Sequence, residues 1–118
     1  MRKLGLLLLP IVVLLGCQPI QNSARDGIAA AKGVLQTAQT KYMAQCTANP
    51  QDAPCTIIHK GVAAQNVAID ALEVYCEGGA TPAFKDGGPC VANKASEPKL
   101  RAALDDLNRI ITDVKGLL

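Results

Sequence analysis

Tryptophan is absent from this chain of 118 residues, phenylalanine occurs once and tyrosine twice. A core made here must therefore come from Ala, Leu, Ile and Val, and its elements have to pack closely. Histidine occurs once, at His59, with no nucleophile, base and orienting group to be read around it. No CxxC pair exists, which removes the zinc knuckle and the thioredoxin-like redox motif. There is no glycine-rich phosphate cradle. No apolar run approaches the roughly 20 residues that a membrane-spanning helix needs. Alternation of period two is not sustained anywhere, so strands have no support. Nothing repeats, and no tract is of low complexity. These absences leave no catalytic residue, no metal ligand and no cofactor to assign.

The charge is nearly balanced, with twelve basic and ten acidic residues. Two of the basic ones, Arg2 and Lys3, precede an uncharged run from Leu4 to Leu15. That run has the length of a signal-peptide core. Its removal leaves equal and dispersed charges, which argues against nucleic acid as a partner. One domain is what the length allows.

Cysteine is present five times, at Cys17, Cys46, Cys55, Cys76 and Cys90. Disulfides use cysteines in pairs, so one is left over. Leu14-Leu15-Gly16-Cys17 at the end of the apolar run resembles the lipobox of bacterial lipoproteins. The resemblance covers the first 17 residues. It implies a diacylglyceryl group on the Cys17 sulfur, cleavage between Gly16 and Cys17, and acylation of the new amino group. Two or three chains hold a protein on a membrane where one does not. In enteric lipoproteins, aspartate after the lipidated cysteine favours the inner membrane. Here that residue is Gln18, so the resemblance implies the periplasmic face of the outer membrane. The chain thus divides into a leader (1–16), a lipidated tether (17–22) and a helical domain (23–118).

Three helices are expected in that domain, over residues 23–47, 54–76 and 97–117. In the first, Ala24, Ile28, Ala31, Leu35, Ala38, Tyr42 and Cys46 recur at spacings of three and four. Ser23 resembles a helix start. Gly27 and Gly33 cost about 1 kcal/mol each relative to alanine, unless they admit a neighbouring element. The segment between Cys46 and Cys55 holds Asn49-Pro50 and Asp52-Ala53-Pro54, a break followed by a new start. The second helix is apolar over most of its circumference, with Val67 and Val74 on a third flank. It suits the middle of a three-helix bundle, or presents that flank as an assembly surface. The third helix has Leu100, Ala103, Leu104, Leu107, Ile111, Val114 and Leu118 on one stripe. Arg101 with Asp105, and Arg109 with Asp113, are spaced as surface pairs. The fold class is all-α, a small bundle.

Helix geometry sorts the remaining cysteines. On one helix Cys55 and Cys76 stand about 30 Å apart at 1.5 Å per residue, far beyond the about 7 Å that a disulfide spans. Cys46 sits at the same end as Cys55, so Cys46 cannot reach Cys76 either. Cys46 with Cys55 and Cys76 with Cys90 remain.

The polar side chains are bland by spacing. Asp70, Glu73 and Glu77 share a narrow wet arc, and adjacent Asp105 and Asp106 point apart. Tyr42 and Tyr75 suit helix interfaces. Residues 77–96 read as a loop, with Gly78 as a helix cap and Gly78-Gly79 and Gly87-Gly88 as turns. Phe84 lies in this loop and is the candidate contact for a partner. The expected role is a lipid-anchored envelope protein of non-enzymatic, interaction or structural type. Its partners are the membrane, through Cys17, and an envelope protein of unknown identity, with self-assembly through Val67 and Val74 as a further option. The alternatives are a small inhibitor or exclusion lipoprotein that acts on an envelope enzyme, phage or conjugation machine, and a small-ligand carrier.

Overall fold

The computed structural model describes residues 20–76 and 90–118. The leader, Cys17, Glu77, Gly78, both glycine doublets and Phe84 lie outside the described residues. Among the described residues four α-helices follow one another: α1 (Ile20–Lys41), α2 (Met43–Ala48), α3 (Ala53–Cys76) and α4 (Glu97–Lys115). Three are long and form a bundle in which each touches the other two, and the α3–α4 seam is the most extensive.

The bundle forms because each long helix turns one stripe inward. On α1, Ala24, Ala31, Leu35 and Ala38 are buried. On α4, Leu100, Ala103, Leu107, Ile111 and Val114 are buried. α3 contributes more of its circumference, including Ile58, Gly61, Ala68, Leu72 and Tyr75. Leu100, Leu107 and Val114 are among the largest side chains shut off from solvent, and each such burial stabilises by about 1.5–3 kcal/mol. No polar or charged side chain is buried among the described residues.

Helix α1 already includes Ile20, the first described residue, so Ser23 lies inside the helix rather than at its start, and is exposed. Ile20 is partly buried against the core, which favours helix ahead of Ser23 over a cap at Ser23. The stretch expected as one helix from 23 to 47 breaks at Tyr42, whose backbone sits at φ −105° and ψ 12°. Hydrogen bonds from Tyr42 N to Ala38 O and from Cys46 N to Tyr42 O continue across the break, so α2 follows α1 directly. The Tyr42 hydroxyl donates to the Leu117 carbonyl at 2.7 Å, and Lys41 Nζ donates to the oxygens of Leu117 and Leu118. The end of α1 is thereby fastened to the last carbonyls beyond α4, where positive charge is favourable.

α4 ends at Lys115, with Gly116 as its cap. The chain turns there, so Leu117 packs against the core and Leu118 is exposed. Leu118 therefore leaves the apolar stripe that straight helical spacing assigns it. The arginine partners differ too. Arg101 pairs with Glu97 and Arg109 with Asp106. Side chains on a helix lean toward its N-terminus, so both arginines reach back to a carboxylate one turn earlier.

The glycines expected to admit a neighbour do not: an added methyl group at Gly27 or Gly33 would meet nothing within 4 Å. The close approach is at Gly61, which spacing alone did not single out. There the α3 backbone presses on Leu35 of α1 and Val114 of α4.

Candidate functional site

The four described cysteines pair as helix geometry requires. Cys46 and Cys55 are bonded with Cα atoms 5.4 Å apart, and Cys76 and Cys90 with Cα atoms 4.4 Å apart. The first bond closes the turn between α2 and α3. Asp52 organises that turn: its carbonyl accepts from Cys55 N and Thr56 N, and its carboxylate accepts from Gln45 Nε2. The second bond brings the returning chain onto the end of α3. Val91 N donates to Cys76 O and Asn93 N donates to Tyr75 O. Carbonyls that α3 would otherwise leave unpaired at its C-terminus are thus satisfied. A 3₁₀ turn, Lys94–Ser96, then leads into α4.

The tyrosines and His59 separate, and acidic residues divide between two grooves. Tyr75 is buried in the core and Tyr42 is half-buried against it. His59 is exposed beside the Cys46–Cys55 bond. Asp106 faces the α3–α4 groove, whereas Asp105 lines a polar groove between α1 and α4. Among the described residues, no three His, Cys, Asp or Glu side chains stand close enough to share a metal ion. No helix there is long and apolar enough to cross a membrane.

What does converge is an exposed stripe on α3. Val67 is 59% exposed and Val74 is 48% exposed, one above the other two turns apart. Of the other exposed apolar side chains, Met43 lies on α2 and Val91 on the segment that leads to α4; isolated ones are ordinary on any surface. Beside the valines runs a shallow groove between α3 and α4, floored by Ala64, Ala71, Ala102 and Ala103. Lys60, Asp70, Lys99 and Asp106 stand along it. The hydrophobic pattern of the sequence marks the valines but not Lys60 or Ala63, and it leaves Asp70 as a merely solvated residue. The available signal was spacing: Ala63 and Asp70 stand three or four residues from the valines, and Lys60 one heptad before Val67. Phe84, the loop candidate, lies outside the described residues.

No protein-family model matches the chain, and no curated protein or solved structure matches it either.

Proposed function

We propose that this chain is a lipid-anchored bacterial envelope protein that acts by binding rather than by catalysis. Its anchor is the lipid on Cys17, and its site is the periplasmic face of the outer membrane. The observation that carries this reading is the cysteine pairing. Four cysteines are consumed in two disulfides, which leaves Cys17 as the odd one, in the Leu14-Leu15-Gly16-Cys17 setting that resembles a lipobox. Disulfides also suit an exported protein. The helical domain then works as a rigid presenter, and its tether raises its effective concentration near a second envelope component.

Metabolic labelling with a palmitate analogue tests the anchor. Label is expected on the native chain and is expected to disappear in Cys17→Ser. Label that persists in Cys17→Ser overturns the assignment. Cross-linking in intact cells, followed by isolation in detergent, tests the binding role. A stoichiometric envelope protein is expected, and a chain that recovers no other protein and no second copy counts against it.

A further inference from the structure

We infer that the exposed stripe of α3 is the contact face of an antiparallel dimer of this chain. Thr56, Lys60, Ala63, Val67, Asp70 and Val74 are all exposed and recur at alternating spacings of four and three. These are the a and d positions of a heptad, the pattern that seats one helix on another. Lys60, Val67 and Val74 occupy a, and Thr56, Ala63 and Asp70 occupy d. The stripe runs for about 27 Å at 1.5 Å per residue.

The charges say what covers it. In an antiparallel pair each a position faces a d position of the other copy. A two-fold axis at residue 65 sets Lys60 against the second copy's Asp70, and Val67 against the second copy's Ala63. Val74 then meets Thr56. Every contact occurs twice, as a two-fold interface requires. A parallel pair in register would instead set Lys60 on Lys60 and Asp70 on Asp70, which is repulsive. Sliding the antiparallel pair by one heptad sets either Asp70 on Val67 or Lys60 on Ala63, and so strands a charge on an apolar residue. One register therefore satisfies the whole stripe. Neither Lys60 nor Asp70 has an ion pair or side-chain hydrogen bond among the described residues, so both are free to pair between copies. The alanine floor beside the stripe lets the second helix settle close.

Zero-length carbodiimide cross-linking of the full chain in detergent tests this, with light and heavy-isotope copies mixed. Within one chain Lys60 and Asp70 lie about 15 Å apart along α3, too far for a direct amide. A Lys60–Asp70 product joining a light and a heavy copy is therefore expected. In sedimentation equilibrium, Lys60→Asp and Asp70→Lys are each expected to weaken dimerisation by about tenfold or more, and the double exchange to restore it. Val67→Glu is expected to abolish the dimer without changing the melting of the monomer, because Val67 is exposed. A chain that stays monomeric at every concentration overturns the inference. So does a dimer indifferent to these changes, or a double exchange as weak as the single ones.

Discussion

A methyl group on Gly61 would stand 2.6 Å from Cδ2 of Leu35 and 3.2 Å from Cγ2 of Val114. Leu35 belongs to α1 and Val114 to α4, and both are buried. The missing side chain of Gly61 is thus what lets three helices meet at one level. Gly61→Ala is expected to destabilise the domain by up to about 2 kcal/mol net, since overpacking of about 1–3 kcal/mol is offset by the roughly 1 kcal/mol that alanine gains over glycine in a helix. Gly33→Ala adds its methyl group to open space and is expected to stabilise by up to about 1 kcal/mol. Denaturant unfolding of the two variants checks the opposite signs.

Tyr42→Phe removes the hydroxyl that donates to the Leu117 carbonyl. The expected cost is about 1 kcal/mol, read as a lower melting temperature with helix content unchanged. Lys41→Met should cost less, because its contacts to Leu117 and Leu118 are exposed.

Removal of either disulfide is expected to cost about 2–4 kcal/mol. The Cys76→Ala/Cys90→Ala pair should cost more than Cys46→Ala/Cys55→Ala. Cys76 is 1% exposed, and its bond holds the returning chain against the end of α3. Parallel melts of both double variants under oxidising conditions check the order.

Glu97→Gln and Asp106→Asn each lose an exposed ion pair on α4. Each is expected to cost no more than about 0.5 kcal/mol. Asp105→Asn and Asp113→Asn should be neutral, since the arginines turn toward the other carboxylates. Double-mutant cycles with Arg101 and Arg109 check which pairs are coupled.

Much of the fold is legible in the amino-acid sequence. Helical spacing places the inward stripes of α1 and α4, because those positions depend only on a period of 3.6. The disulfides follow because a helix is a rod of known length. What spacing misses is set by tertiary contact. Tyr42 breaks a continuous period where its hydroxyl is tied to Leu117 across the bundle. Ile20, partly buried against the core, lies in α1 ahead of the start expected at residue 23. Gly61 looks like any helical glycine until the positions of Leu35 and Val114 are known. The α3 stripe is visible through Val67 and Val74. Its charged members carry no meaning until Lys60 and Asp70 are placed, exposed, on the same line.

The most direct measurement is the intact mass of the native protein extracted from membranes. A lipid-anchored, doubly stapled chain is expected to lack residues 1–16, to carry two or three acyl chains at Cys17 and to weigh four hydrogens less than its reduced form. A mass that retains residues 1–16, or that carries no acyl chain, contradicts the lipid anchor.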